Sequence, residues 1–314
     1  MKNARWPIFL AAVAAAAFLA VGRARAQSKT KLDPESEKFY RSASLIMSSE
    51  ENKIWKHLPD AESRKEFIQD FWDKRNPDPD SQDNNFRIEF ESRIDYANRH
   101  FKEGGLGMNT DRGRVYIFLG PPDKTEDFLN RDYTTSNRGS AIWWIYYKYG
   151  VGVAFVDERG YGTYKISQTE GNIFEAMELY KLGQWVGPDS VFKTSVVDFK
   201  LNYDSAKQEL VVLLPAKSLL LRENADGKLQ VDLNFKFYVY EDEGVRREVF
   251  TGSQFYITAD VEYEKSGDIP FRFARDLKPG RAFVDVVIMG KEGMKGKIRK
   301  IFELKVGRPP SPRP

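Results

Sequence analysis

The feature that most constrains this chain is a change in the spacing of its apolar residues at the glycine-rich break over residues 104–107. Before this break, apolar residues recur at helical spacing in four segments that begin at Asp33, Ser48, Asp60 and about Asn84. After it, apolar and polar residues mostly alternate, as they do in strands. Helices followed by strands with short connections predict an α+β domain rather than alternating βαβ units.

The alternating segments predict two groups of antiparallel strands. The first group forms a meander with short turns, and its strands are predicted at residues 114–119, 141–149, 151–157 and 162–167. A helix at residues 173–182 is predicted to lead from this group to the next. In the second group, six or seven strands in about 115 residues fit an antiparallel β-sandwich of immunoglobulin-like type.

A chain of 314 residues is long enough for two domains of roughly 100–200 residues each. The predicted fold is an α+β N-terminal domain, with helices followed by an antiparallel β-meander, plus a C-terminal antiparallel β-sandwich of immunoglobulin-like type. The predicted segments are a signal peptide (1–26), a linker (27–32), the α+β domain (33–171), a helix and inter-domain bridge (172–190), the β-sandwich domain (191–306) and a disordered proline-rich tail (307–314).

The first 26 residues have the pattern of an export signal. Lys2 and Arg5 precede an apolar, alanine-rich run over residues 6–21, and small residues follow in Ala24-Arg25-Ala26. We expect cleavage after Ala26 or Gly22, and a periplasmic or secreted protein. The alternative is an uncleaved anchor, for which this weakly apolar run is a poor membrane span. No cysteine is available for a lipid anchor. Apart from this N-terminal run no apolar stretch is long enough to cross a bilayer, so no stable membrane span is expected after cleavage.

Loss of the signal peptide changes the charge of the chain. Removing Lys2, Arg5, Arg23 and Arg25 from the 49 basic residues leaves 45, against 46 acidic residues, and a formal net charge of −1. A near-neutral mature protein has no electrostatic reason to bind nucleic acid. No nucleic-acid partner is therefore expected.

The composition also excludes several kinds of catalytic site. The absence of cysteine excludes disulfides, thiolate catalysis and cysteine–zinc sites, and only two histidines leave little room for histidine-based chemistry. The sequence has no G-x-S-x-G, no H-E-x-x-H and no phosphate-binding loop ending in Lys-Ser or Lys-Thr. No cofactor is predicted.

Five segments carry a family resemblance. They are residues 71–79 (FWDKRNPDP), 86–87 (FR), 93–98 (RIDYAN), 107–117 (GMNTDRGRVYI) and 120–123 (GPPD). Together they resemble the GWxTD domain of exported bacterial proteins, over about residues 37–170. Met108 stands where the family has its name-giving tryptophan, so the indole N–H is missing. The resemblance implies a domain of unknown function without accepted catalytic residues, so none are carried over.

Six motif residues are candidates for a structural or a ligand-binding role: Gly107, Thr110, Asp111, Arg112, Arg114 and Asp123. In the structural interpretation, Thr110 and Asp111 bind backbone N–H groups just before a strand, and Arg112 or Arg114 pairs with Asp111, Asp123 or Asp73. In the alternative interpretation, Asp111, Arg112 and Asp123 surround a ligand.

The loop before the fourth predicted helix contains a weak calcium pattern. Asp78, Asp80 and Glu89 fall at the first, third and twelfth positions of an EF-hand-like count. The sixth position is Asp83 instead of glycine, which argues against calcium. The competing interpretation is that Ser81 or Asp83 caps the following helix. No other metal site is predicted.

Aromatic residues lie on both faces of one predicted strand, at Trp143, Trp144, Tyr146 and Tyr147. One set of rings is expected to face the helices. The other set must be covered or must form a binding surface, because a large exposed apolar patch is uncommon. We expect the second domain to cover it, with a carbohydrate or peptide groove as the alternative.

These observations predict an exported, non-catalytic protein that binds an envelope or extracellular protein or polymer. The alternative is a hydrolase that acts on cell-wall or extracellular polymer through two carboxylates, although spacing alone selects no pair among 46 acidic residues. A structural spacer without a specific ligand is a third possibility. The enzyme requires a cleft with two carboxylates ~5–10 Å apart, whereas the binding protein requires an exposed aromatic patch or an unprotected sheet edge.

Overall fold

The computed structural model of the protein describes residues 32–78, 81–129, 140–184, 190–194, 196–241, 246–263, 265–291 and 295–307. The predicted signal peptide, most of the predicted linker and residues 308–314 of the predicted tail lie outside these ranges. Within them, no helix combines the length and the apolar character that a membrane span needs.

The described residues before position 101 form four helices with polar N-terminal caps. The helices are α1 (Pro34–Ala43), α2 (Ser49–His57), α3 (Ala61–Asp73) and α4 (Asn85–His100). Asp33 and Asp60 each accept a backbone N–H three residues ahead, and Ser48 forms a reciprocal capping box with Glu51. Such caps satisfy amides that have no partner within the helix. The helix starts predicted at Asp33, Ser48 and Asp60 are confirmed.

The cap of α4 differs from the predicted Ser81 or Asp83. The Asn84 side chain accepts the N–H of Arg87 at 3.0 Å and donates to the carbonyl of Trp72 at 2.8 Å. The hydroxyl of Ser81 instead accepts the N–H of Asp83 within the loop. Because Asn84 binds the end of α3 as well as the start of α4, it fixes where α4 begins.

Aromatic rings fill the core between these helices. Phe39 lies 5.2 Å from Trp55, 5.1 Å from Phe71 and 6.0 Å from Trp72, measured between ring centroids. The ring planes are tilted or edge-to-face, the arrangements that the aromatic quadrupole favours. The apolar stripes predicted for the helices therefore meet in one cluster.

The segment predicted as the first strand of the meander forms a helix instead. This helix, α5, spans Asp111–Leu119, so the strand predicted at residues 114–119 is wrong. Val115, Ile117 and Leu119 alternate as they would in a strand, but Phe118 is buried as well. A short helix that is apolar on most sides has no polar face to reveal its 3.6-residue period.

The described residues after α5 form an antiparallel sheet of four strands. They are β1 (Lys124–Leu129), β2 (Ser140–Tyr146), β3 (Val151–Asp157) and β4 (Lys165–Glu170), paired in chain order. The strand predicted at 151–157 is confirmed, and so is the helix predicted at 173–182, here α6 (Ile173–Leu182). The strand predicted at 141–149 ends at Tyr146, where a 3-10 turn begins.

The described residues from position 190 onward form two further antiparallel sheets. One sheet has the order β10-β6-β5, from β5 (Lys200–Asp204), β6 (Glu209–Pro215) and β10 (Asp268–Ala274). The other has the order β12-β11-β8-β7, with β9 also paired to β8, from β7 (Arg222–Glu223), β8 (Leu229–Glu241), β9 (Arg246–Thr258), β11 (Gly280–Gly290) and β12 (Lys297–Val306). A four-residue helix, α7 (Asp260–Tyr263), follows β9.

The two sheets share an apolar core. Apolar residues alternate along residues 229–239, which predicts one buried face. Val231, Leu233, Phe235, Phe237 and Val239 of β8 are buried in this core, and Leu229 is partly buried. The Phe235 ring lies 5.1 Å from Phe271 of the three-stranded sheet.

The five-stranded sheet is also covered on its other face, by the helices of the N-terminal part. Tyr238 and Tyr240 of β8 and Phe283 and Val287 of β11 belong to the same core as α1 to α4. The C-terminal part therefore covers the helices, whereas we expected it to cover the aromatic strand β2. The tyrosines and Phe283 present large apolar surfaces, and their burial against the helices stabilises this contact.

Candidate functional site

The family-like motif builds the N-terminus of α5. The hydroxyl of Thr110 accepts the N–H of Gly113 at 3.0 Å and donates to the carbonyl of Gly107 at 2.8 Å. The N–H of Met108 is bound by the Asn98 side chain at 2.9 Å, and Met108 itself is only 4% exposed. Thr110 is thus a helix N-cap, which corrects its predicted role ahead of a strand.

Two glycines of the motif allow three backbone segments to touch. A Cβ atom at Gly107 would lie 1.8 Å from the carbonyl oxygen of Ala97 in α4, and one at Gly113 would lie 1.8 Å from the carbonyl oxygen of Gly107. No side chain fits at either position. Glycine is needed here for close approach between α4 and α5.

Two carboxylates of this region bind backbone amides at the start of β4. Asp111 accepts the N–H of Ile166 at 3.0 Å, and Glu103 accepts the N–H of Tyr164 at 2.9 Å. Arg112 donates to Glu103 at 2.7 Å and lies 4.0 Å from the centre of the Tyr164 ring. Together these contacts fasten β4, the last strand of its sheet, to the start of α5.

The predicted pairing of the arginines is wrong. Arg112 pairs with Glu103, and the basic group near Asp111 is Lys165, 3.8 Å away. The Arg114 side chain is exposed. Sequence reasoning missed Glu103, whose position just before the glycine-rich break was the available signal. A carboxylate after a helix and before a turn is well placed to bind free backbone amides.

Asp123 lies beyond the opposite end of α5. Its carboxylate accepts the N–H of Tyr147 at 2.7 Å, and its own N–H donates to Ile145 at 2.9 Å. Arg93 of α4 binds the last carbonyls of α5, at Ile117 and Phe118. A nine-residue helix is about 13 Å long, so the structure does not bring Asp123 together with Asp111 and Arg112.

The aromatic strand β2 divides its rings between two environments. Trp144 and Tyr146 are buried against the helices, and burial raises the pKa of Tyr146 above its ordinary value. Tyr147, just after the strand, is 67% exposed. Trp143 is partly exposed on the outer face of the sheet, and its indole reaches Gly152 of β3, where a Cβ would lie 3.2 Å from the indole nitrogen.

Trp143 lies at the centre of a cross-strand row on this outer face. Glu126 of β1 is its register partner on one side and Ala154 of β3 on the other, and Ala154 in turn pairs with Gln168 of β4. We call these four residues the Trp143 row. The indole of this row is partly exposed, with the buried Ala154 beside it and polar side chains on the outer two strands.

The described residues do not bring the three residues of the calcium pattern together as a site. Glu89 forms an ion pair with Arg93, and Asp80 lies outside the described residues. In the part of the chain that the structure describes, no group of three or more His, Asp or Glu residues could hold a metal ion. Calcium binding through Asp78, Asp80 and Glu89 stays a prediction.

A buried ionic cluster joins the helices to the five-stranded sheet, and sequence reasoning missed it. Its members are Glu51, Lys74, Arg75, Asp285 and Arg299, whose side chains are all fully buried. Arg299 binds Glu51 at 2.5 Å and Asp285 at 2.6 Å, and Lys74 lies 3.0 Å from Asp285. Arg75 binds Glu51 at 2.7 Å. We call this set the interface cluster.

The cations set the ionisation of the interface cluster. Burial alone would raise the pKa of Glu51, but Arg299, Arg75 and Lys74 outweigh it and hold that pKa well below its usual range. Both carboxylates are therefore charged, and three cations face two anions. The available signals were Asp285 within an otherwise apolar strand and the Lys74-Arg75 pair of the family-like motif.

Lys297 lies beside this cluster. Its ammonium group donates to the carbonyls of Lys74 at 3.1 Å and Asn76 at 2.7 Å. Burial, with Arg299 and Arg75 close by, lowers the pKa of Lys297 to about 7. A second tie across the interface joins Asp70 of α3 to the Tyr240 hydroxyl at 2.8 Å and to Arg247.

In the described part of the chain, the charged groups of the motif and of the interface cluster hold elements of the fold together. The carboxylates of Asp111, Glu103, Glu51 and Asp285 accept hydrogen bonds from backbone amides or buried cations, which fixes their position. No match to the chain was found among curated proteins. The GWxTD domain model matches residues 33–169, so the chain contains a GWxTD domain.

Proposed function

We propose that the chain is an exported, non-catalytic binding or assembly module for an envelope protein or polymer. Export is supported by the basic, apolar and small-residue order of residues 1–26. Cell fractionation tests this part, with N-terminal sequencing of the mature protein. We expect periplasmic or secreted material that begins after Ala26 or Gly22. An intact N-terminus in the cytoplasmic fraction would contradict it.

The Trp143 row is the observation that supports binding. A flat, partly exposed indole between a carboxylate and an amide offers an apolar face for the C–H groups of a sugar and polar groups for its hydroxyls. Tyr147, 67% exposed, extends the aromatic surface beyond the end of β2. Of the two partner classes, this chemistry favours a polysaccharide. We assign the two C-terminal sheets to an immunoglobulin-like sandwich, a fold that often serves as a recognition or spacer module.

Co-sedimentation of the mature protein with insoluble envelope polysaccharide tests this surface. We expect Trp143→Ala to weaken binding at least tenfold, because it removes the ring on which the sugar stacks. Tyr161→Ala is the matched control, since Tyr161 is an aromatic residue 82% exposed outside the Trp143 row. Equal binding by both variants would contradict the proposal. A photo-crosslinking residue in place of Tyr147 that captures a specific protein would move the assignment to a protein partner.

One cavity bears on the alternative of a carboxylate hydrolase. A cavity of about 610 Å³ at the edge of the helix–sheet junction is lined by four acidic residues, Glu66, Glu241, Glu248 and Asp276. Glu66 lies 3.8 Å from Arg247, and Glu248 pairs with Arg275. Two of the four acidic residues of this cavity therefore have a cationic partner. Release of reducing sugar by the purified protein, lost in Glu248→Gln, would replace the proposal with the hydrolase.

A further inference from the structure

A second cavity lies where the N-terminal elements meet behind the interface cluster. Its volume is about 530 Å³, and it is bounded by the end of α3, the first half of α4, the turn after β2 and α6. Phe86, Tyr149 and Leu179 supply apolar walls. A cavity of this size with a mostly apolar lining is typical of sites for small organic ligands.

Three buried polar atoms in the lining have no hydrogen-bond partner among the described residues. They are Nε of Arg75, the hydroxyl of Tyr180 and Oε1 of Gln184. Arg75 is 1% exposed, and its two terminal nitrogens are bound to Glu51 and to backbone carbonyls, so Nε alone is left. Buried polar atoms without partners are rare in folded proteins and destabilise them.

The Tyr180 hydroxyl lacks an acceptor even though a cation is near. The Arg93 guanidinium lies over the Tyr180 ring, 5.0 Å from its centre. A guanidinium carries only donors, so it cannot accept the hydroxyl hydrogen. Three residues thus line one cavity and carry unpartnered polar atoms, with donors on Arg75 and Tyr180 and an acceptor on Gln184.

The charge around the cavity favours an anion. Arg75 belongs to the interface cluster, in which three buried cations face two carboxylates. Arg93 is balanced by Glu89, and Lys148 lies exposed at the mouth. Excess positive charge in a low-dielectric region attracts a negative group strongly.

We propose that this cavity binds a small organic carboxylate that also carries a hydroxyl group and an apolar body. The carboxylate accepts hydrogen bonds from Arg75 Nε and the Tyr180 hydroxyl, the ligand hydroxyl donates to Gln184 Oε1, and the apolar body packs on Phe86, Tyr149 and Leu179. This ligand satisfies all three unpartnered atoms and compensates the excess charge of the interface cluster.

The position of the site couples ligand binding to the interface with the C-terminal sheets. The amide nitrogen of Gln184 donates to the carbonyl of Arg299 in β12 at 2.8 Å. Arg75 and Arg299 also share the carboxylate of Glu51. A ligand that fixes Arg75 and Gln184 therefore stabilises the contact between helices and sheet as well as the cavity itself.

Phenyllactate is a suitable probe, because it has a carboxylate, a neighbouring hydroxyl and a phenyl ring. Binding to the full mature chain is measured by isothermal titration calorimetry and by the shift in melting temperature. We expect binding and a raised melting temperature with phenyllactate, and binding at least tenfold weaker with 3-phenyl-1,2-propanediol, which lacks the carboxylate. No binding at millimolar phenyllactate, or equal binding of the diol, overturns the proposal.

Tyr180→Phe tests the assigned contacts. The variant deletes a hydroxyl whose hydrogen has no acceptor, so the ligand-free melting temperature should change little, while phenyllactate binding should weaken about tenfold. Tyr161→Phe serves as the control and should bind as the unmodified chain does. Unchanged binding by Tyr180→Phe overturns the proposal. A melting shift of the same size with sodium chloride means an adventitious ion only, and also overturns it.

Discussion

The two faces of the five-stranded sheet bury their side chains by different chemistry. Toward the three-stranded sheet, β8 presents Phe235 and Phe237 in an apolar core. Toward the helices, the same sheet presents Tyr240, Asp285 and Arg299, which bind charged partners. Apolar contacts stabilise without direction, whereas a buried ion pair is favourable only in one geometry. The difference suggests that one face holds the fold together and the other fixes how the helices sit on it.

The largest effect is expected when the charged face loses a carboxylate. Glu51→Gln keeps the shape of the side chain but leaves Lys74, Arg75 and Arg299 with a single anion, Asp285. Stranding buried charge of this kind costs ~3–5 kcal/mol of the free energy of unfolding. Urea denaturation measures the change directly.

A neighbouring residue provides the control for that measurement. Glu50 lies on the same helix turn and contacts Ser49 at the surface. Glu50→Gln should leave the urea midpoint unchanged, since exposed substitutions of this type have little effect. If Glu51→Gln were as stable as Glu50→Gln, the charges of the interface cluster would contribute nothing to the free energy of unfolding. The contrast between the two faces would then disappear.

A smaller effect, dependent on pH, is expected from Lys297. Its pKa is about 7 in the folded chain and 10.5 in the unfolded chain. Below pH 7 both states are protonated, and the folded state bears the full cost of a buried ammonium. Above pH 7 the folded state releases the proton while the unfolded state keeps it, so stability rises with pH, by about 1 kcal/mol per pH unit between pH 7 and 10.

Lys297→Met removes the titrating group from the charged face. The variant should lose the rise in unfolding free energy between pH 7 and 10, whereas Lys305→Met, an exposed substitution on the same strand, should retain it. Chemical denaturation at several pH values gives the slope. A slope in Lys297→Met equal to that of Lys305→Met would show that another group titrates in this window.

The smallest effect is expected on the apolar face. Phe235→Leu keeps an apolar side chain of similar reach, and neighbouring rings such as Phe271 can adjust to it. Such swaps typically cost about 1 kcal/mol, and the loss should be independent of pH and salt. A salt-dependent loss would mean that the two faces are energetically coupled. The melting temperature measured at low and high salt distinguishes these results.

The parts of the fold that depend on local chemistry could be predicted from the sequence. Caps at Asp33, Ser48 and Asp60 satisfy nearby amides, so their positions follow from residues a few places apart. The strand at 151–157 and the helix at 173–182 have clear periods and turn residues on both sides. Helix α5 was missed because its length of two and a half turns and its buried residues fit either period.

The site depends on contacts that no local pattern contains. Glu51 and Arg299 are 248 positions apart, and each alone is indistinguishable from an ordinary surface charge on a helix or strand. Asp285 was more informative, because a carboxylate inside an apolar strand must have a buried cationic partner. Which cation it is depends on how the helices pack on the sheet. The same holds for Glu103 and Asp111, whose partners on β4 lie more than 50 positions away.

The attachment of β4 has a consequence for assembly. Backbone N–H groups at the end of a sheet are ordinarily open to strands of other molecules. Here Tyr164 and Ile166 already donate theirs to two anionic side chains, and an incoming strand would have to displace both. Strand addition is therefore opposed at the start of β4, where a partner contacts the broad side of the sheet more readily than it extends it.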